Sequence, residues 1–255
     1  MLEHFLVSQI FTFFLILCRI GPGVLILPGF GEAYVPPRIR LSFSLLLSLM
    51  LVPVLGKTMP VMPSSFVALA VLVATEILIG IFIGSLCNIL ISVTHIGGMI
   101  FSYQSGISSA VIYDITQSSQ GSIVGNLLGL TTLVLLFSTN LHHLMLRGIT
   151  QSYVVFVPGQ FPPIHDYVEA IARIVSDSFI MAVQISTPII IITTLLFLGA
   201  GILSRLMPTV QIFFLIIPPQ LLIGFFILTT TFSAMMLWYI TFYKDKMLSF
   251  MGYLH

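Results

Sequence analysis

Nine Lys and Arg and eight Asp and Glu make up only 7% of the 255 residues, against roughly a quarter in an ordinary soluble domain. Hydrophobic residues reach 58% and the mean hydropathy is +1.14, which leaves too little polar surface to cover a soluble globule and excludes a soluble enzyme. The net charge of +1, with no basic tract, excludes nucleic-acid binding through the phosphates, and Cys18 and Cys87, with no CxxC spacing, read as buried thiols.

A bilayer-spanning helix needs about 20 apolar residues and avoids charge within them, so the gaps between charges give the organisation. Residues 5–30 read as mature helix, because Glu3 and His4 stand where a signal peptide would carry Lys or Arg, and no small-x-small cleavage site follows. Pro22 and Pro28 are expected to kink or end it. Further charge-free runs cover 41–56, 58–75, 77–113, 115–146, 148–165, 178–204 and 206–243. The runs 77–113 and 206–243 are each long enough to hold two helices if the chain turns midway. Gly97-Gly98 with the polar stretch after it is expected to interrupt the first. Pro218-Pro219 is expected to break the second into a hairpin or a sharp kink, with Gln220 bonding the freed carbonyls. The fold class that follows is all-α, polytopic, built from hydrophobic helical hairpins and bent helices.

The rule that Lys and Arg stay cytoplasmic gives no orientation here. With six segments, one side collects Lys57, Arg147, Arg173, Lys244 and Lys246 and the other Arg19, Arg38, Arg40 and Arg205. Either the segment count differs or the helices do not thread the membrane independently. Glycines at four-residue spacing allow close helix contact: Gly80 and Gly84, then Gly121, Gly125 and Gly129, with Gly199 and Gly201 near Arg205. Three such clusters point to extensive helix interfaces, within the chain or with partners.

Catalytic patterns do not emerge. His142 and His143 are adjacent, about 100° apart on a helix, whereas a zinc protease needs two His four residues apart with Glu beside the first. There is no GxSxG elbow and no phosphate loop, and no cofactor or metal is expected. Glu76, the intramembrane carboxylate, is either a proton- or ion-binding group or a structural carboxylate hydrogen-bonded in a helix interface, and Arg205 is an interface or helix-end residue. From Gly97 to Ser122 the chain reads GGMIFSYQSGISSAVIYDITQSSQGS, rich in Ser and Gln between apolar flanks. Its two readings are an exposed loop, or backbone lining a cavity at membrane depth.

These residues resemble the R subunit of the flagellar export gate, the T subunit of virulence-type type III secretion. CRIGPGVLILPGFGEAYVPPRIRLSFSLLLSLMLVP is similar to the family's Arg-containing first helix, Pro-rich turn and basic start of the second helix. Glu76 to Gly80, with Gly84 beyond, resembles its Glu-x-x-x-Gly pattern. QSGISSAVIYD, NLHHLMLRGITQSYVVFVPG and RLMPTVQIFFLIIPPQLLIG resemble three later motifs, in order, across residues 11 to 227. Thr209 after Pro208, Ile115 after Asp114, Asn140-Leu141 before the His pair and a short tail after Lys244 depart from the pattern; the flagellar side of the family is preferred.

The resemblance implies one export-gate domain over 1–255, with a P-like portion at 1–177 and a Q-like portion at 178–255, packing with P-type and Q-type subunits into a helical, closed pore for unfolded substrate proteins. It implies a bacterial inner-membrane location at the base of the flagellar basal body. Partners would be those subunits, the B-type switch subunit and A-type export subunit, unfolded export substrates and membrane lipid, with no nucleic acid. The pore plug would comprise Tyr103, Gln104, Gly106, Ile107, Ser108, Val111, Ile112, Tyr113 and Asp114. Glu76, Gly80, Gly84, Gly121, Gly125, Gly129 and Arg205 would serve helix interfaces. A free-standing solute or ion transporter is the competing reading; it would place paired charges near midplane and show internal repeats.

Overall fold

The computed structural model describes residues 2–56, 58–108, 122–160, 164–207, 209 and 211–253. Among them are seven helices and no strand: α1 (Leu2–Ile26), α2 (Pro37–Leu55), α3 (Phe66–Gln104), α4 (Ile123–Ser138), α5 (Leu141–Val155), α6 (Ile164–Leu206) and α7 (Ile212–Tyr253). Five are long and apolar enough to cross a membrane, or six spans if α4 and α5 form one broken span. The chain is a polytopic all-α membrane protein.

Local chemistry accounts for the boundaries. Pro28 lies just past the end of α1 while Pro22 is carried inside it, and Pro37, at the first helical position of α2, supplies a pre-set φ where no N–H partner is needed. The α1–α2 connection turns at Gly29, with φ of +80°, and its carbonyls are gathered by one side chain. Arg40 donates to Val35 O at 2.9 Å, Gly31 O at 3.1 Å and Glu32 O at 2.9 Å. Within the apolar helices, hydroxyls fold back on their own backbone, as Ser44 does to Arg40 O and Ser48 to Ser44 O, so that they need no partner from lipid.

The 77–113 run is interrupted in its polar stretch, where α3 ends at Gln104, and not at Gly97-Gly98, which lie inside α3; no helix break stands at Pro218-Pro219, through which α7 runs. The glycine pair marks close approach instead of a turn. A Cβ on Gly98 would stand 2.5 Å from Gly125 Cα of α4, and one on Gly97 would stand 3.2 Å from Ala182 O of α6, so α3 carries a neighbouring backbone on each side. The prolines sit in the second turn of α7, and membrane helices tolerate such donors' loss where neighbouring groups re-satisfy the backbone.

The chain forms two compact units. The first comprises 1–90, 137–174 and 244–255, the second 91–136 and 175–243. In the first, Phe11, Leu15 and Leu72 form a buried cluster with Met59 and Leu69 against it. α3 meets α1 backbone to backbone there: a Cβ on Gly80 would lie 2.1 Å from Arg19 O, and one on Gly84 would lie 2.9 Å from Gly23 O. The second unit has its own cluster of Ala200, Ile212 and Ile216 under Leu196. Gly129, Gly199 and Gly201 have nothing within 4 Å of a built Cβ, so they make no such approach within the chain.

This difference among glycines is testable. Gly80→Ala forces α1 and α3 apart and should destabilise the protein by about 1–3 kcal/mol or more, the usual cost of overpacking. Gly129→Ala meets open space and should be neutral or stabilising by up to about 1 kcal/mol through helix propensity. Thermal unfolding of the two variants in bilayers, side by side, measures the contrast; equal losses would contradict the close contact at Gly80.

Candidate functional site

The first unit is organised around charge. Arg19 is fully buried and Glu76 is 1% exposed, in a helix pair held close by Gly80. The Arg19 Nε donates to Glu76 Oε2 at 2.6 Å and its Nη2 to Glu76 Oε1 at 2.9 Å, the two-pronged arrangement that a guanidinium and a carboxylate share. Two further N–H groups have partners, bringing the total to four of five. Nη1 reaches Ser152 Oγ at 3.2 Å, Nη2 also reaches Phe156 O at 2.9 Å, and the guanidinium carbon lies 4.0 Å from the Tyr153 ring centre. The Tyr153 hydroxyl donates to Ile16 O at 3.3 Å. Three helices, α1, α3 and α5, therefore converge on one ion pair.

This arrangement assigns the chemistry of Glu76. Both of its oxygens accept from Arg19, and Gly80, one turn further along α3, is the reason the α1 backbone can come near enough for that. A bare carboxylate awaiting a proton or ion would need an open face that this one lacks. Arg205, which a transporter would pair with Glu76, is an exposed residue in the last turn of α6. Arg19 itself is visible in the sequence as the cation interrupting residues 4–31, and Glu76 as the sole carboxylate between Glu32 and Asp114. The rule that buried charges pair was the signal that could have joined them.

In the second unit the polar stretch leaves and rejoins helix at fastened points. Its start is held at the end of α3. The Gln220 Nε2 of α7 donates to Gln104 O at 2.7 Å, and Thr193 of α6 donates to Gln104 Oε1 at 2.9 Å. Gln220 thus serves α3, where it was expected to serve the carbonyls freed by Pro218-Pro219. Gly106, at φ of +75°, follows as the left-handed helix stop. A Cβ on Gly224 would be 2.6 Å from Ser105 Cβ, so α7 lies directly on this turn. Its other end is Ser122, whose Oγ caps α4 by accepting from Gly125 N at 3.0 Å. Ser122 Oγ is also 2.7 Å from Ser102 Oγ and donates to Gly98 O at 3.2 Å. Both fasteners lie in the final two turns of α3.

Among the plug residues, Tyr103 is exposed, Gln104 and Ser108 half-buried and Ile107 6% exposed. Val111, Ile112, Tyr113, Asp114 and, among the glycines, Gly121 lie outside the described residues. Thr193, Gln220, Ser122 and Gly224 were missed as fasteners, since polar residues spaced through apolar helices carry no local pattern that names their partner.

If the ion pair is structural, its parts are unequal to its whole. Arg19→Ala or Glu76→Ala leaves one buried charge without a counter-charge and should cost about 3–5 kcal/mol. Replacing both together with Leu and Met should recover most of that loss. Accumulation in the membrane and thermal unfolding of the three variants read this; a double variant as poor as either single one would contradict it.

The chain matches the family described as bacterial export proteins, family 1, over residues 10–245. It is 32% identical over 231 residues to the flagellar biosynthetic protein FliR of Caulobacter vibrioides, covering 90% of this chain and 92% of that one. It is 27% identical over 226 residues to FliR of Bacillus subtilis, covering 88% and 86%, and 25% identical over 198 residues to FliR of Escherichia coli, covering 77% and 75%. Motif order, charge pair and helix count run through the same matched span, and the chain belongs to the family 1 bacterial export proteins.

Proposed function

We propose that the chain is a core subunit of the flagellar type III protein export channel. The observation that carries this reading is similarity over nearly the whole length to proteins that bear the name flagellar biosynthetic protein. In this reading it assembles with P-type and Q-type subunits into a closed pore for unfolded substrates, beside the B-type and A-type subunits, in the bacterial inner membrane at the base of the basal body. Portions 1–177 and 178–255 take the P-like and Q-like parts.

The polar stretch from Tyr103 to Gln120 supplies the plug. Ser105, Ser108, Ser109, Ser118 and Ser119 with Gln104, Gln117 and Gln120 can satisfy backbone in a water-filled lumen, while Ile107, Val111, Ile112 and Tyr113 can pack against an apolar ring. A permanently buried core would exclude the polar half, and a merely exposed loop would not need the apolar half. The fastening of the stretch at Gln104 and Ser122 supports the reading, because a seal that yields to a passing chain must stay attached at its ends. The apolar window of α6 is only 17% covered by the chain itself, which fits helices that finish their packing against other subunits or lipid.

Deleting residues 106–116 should leave assembly intact and make the resting complex leak small ions, because sealing contacts go while the helix interfaces stay. Conductance of the purified complex with and without the deletion decides it. An assembled deletion complex as ion-tight as the parent would end the plug reading. Co-purification from native membrane addresses the assembly itself: P-type and Q-type chains in fixed proportion are expected, and a lone oligomer would favour a transporter.

A further inference from the structure

Helix α5 has a second face that neither the ion pair nor the plug uses. Leu141, Met145, Gly148, Ile149, Ser152 and Tyr153 are buried, the i, i+4, i+7 stripe of an amphipathic helix. On the opposite side Asn140, His143 and Arg147 are exposed and lie along one stripe with Thr150, edged by Leu144 on one flank and Leu146 on the other. Together they line an open groove of about 560 Å³.

Arg147 is the only Asp, Glu, Lys or Arg between Asp114 and Asp166. Among the described residues no carboxylate lies within 4 Å of its guanidinium, the ion pairs being Arg19 with Glu76 and Arg173 with Glu169. Its backbone carbonyl accepts from the Thr150 hydroxyl at 3.0 Å, and among the described residues the guanidinium fork makes no ion pair. The Asn140 side chain makes no capping bond to the helix it precedes, and the His143 ring stands 4.2 Å from that of His142. A cation with a planar two-pronged donor set, an amide and an imidazole, set between leucines on an exposed helix face of a membrane protein, suit one occupant well. The guanidinium and its neighbours match a phosphodiester, and the leucines match the acyl region beside it, which a free phosphate ion would not need.

We infer that the outer face of α5 binds the headgroup of an anionic phospholipid through Arg147, with His143 and Asn140 as accessory donors. The site goes beyond the export reading and does not depend on the plug.

The test is a titration of the full-length chain, in neutral detergent, with phosphatidylglycerol or with phosphatidylcholine of identical acyl chains, bound lipid being counted by native mass spectrometry. The wild-type chain should prefer phosphatidylglycerol. Arg147→Ala should weaken phosphatidylglycerol binding about fivefold, the worth of one basic residue at an anionic lipid surface, and leave phosphatidylcholine unchanged. Arg147→Lys should keep part of the preference, and Arg38→Ala, a change at an exposed arginine on α2, should keep all of it. Because Arg147 is exposed, its removal does not disturb the buried packing. Equal binding of the two lipids by the wild-type chain, or equal phosphatidylglycerol binding by wild type and Arg147→Ala, would overturn the inference. So would inorganic phosphate binding as tightly as phosphatidylglycerol, which would make this a free-anion site. Wild-type lipid affinity in Arg147→Ala together with loss of a co-purifying subunit would overturn it in favour of a protein contact.

Discussion

A charge pair removed from water is the constraint on which the first unit depends. Burying a guanidinium and a carboxylate costs several kcal/mol per ion even after relaxation, and the cost is met only by close geometry and complete hydrogen bonding. The geometry here is close and the bonding nearly complete: the pair is two-pronged, at 2.6 and 2.9 Å, and Ser152 and the Phe156 carbonyl bring the partnered N–H groups of Arg19 to four of five. Neither condition could be met without Gly80, because any side chain there would collide with the Arg19 carbonyl. Charge, glycine and the end of α5 thus specify one another, and register along α1 and α3 is set by an interaction that tolerates little slippage.

The second unit solves a different problem with neutral groups. A Ser- and Gln-rich stretch must start and stop between apolar helices, and its fasteners are amides and hydroxyls: Gln220 and Thr193 on Gln104, Ser102 and Gly98 on Ser122. Glycines again permit the approach, at Gly98 against Gly125 and at Gly224 against Ser105. The described ends of the stretch are thereby integral to helix packing.

The membrane class and the all-helical fold were legible from composition and charge spacing, because charge in an apolar span is costly; helix bounds were less so, since Arg19, Glu76 and Arg147 each end a charge-free run yet lie inside α1, α3 and α5. Glu76 and Arg19 were each conspicuous as costly charges. Their pairing was not, since 57 residues separate them and nothing local announces the contact; once paired, Arg19 belongs to no loop and drops out of the Lys and Arg balance that gave no orientation. At Gly97-Gly98 and Pro218-Pro219, rules learned in water treat such residues as punctuation, whereas between packed membrane helices a glycine admits a neighbouring backbone and a helix continues through a proline pair whose lost bonds leave two carbonyls for other donors. The family resemblance carried the functional reading further than physics alone, which ended at a polytopic protein with glycine-rich interfaces and one odd polar stretch.

The central claim is the buried pair, and it can be measured without perturbing it. Full-length protein labelled with ¹⁵N in the arginine side chains and ¹³C in the glutamate carboxyls, reconstituted in bilayers, permits a solid-state NMR dephasing experiment, with Glu76→Gln identifying the signal. Nitrogen–oxygen distances of 2.6 and 2.9 Å require strong dephasing of an Arg19 side-chain resonance by the Glu76 carboxyl, lost in Glu76→Gln. A fully resolved Arg19 signal that shows no dephasing by Glu76 would contradict the account.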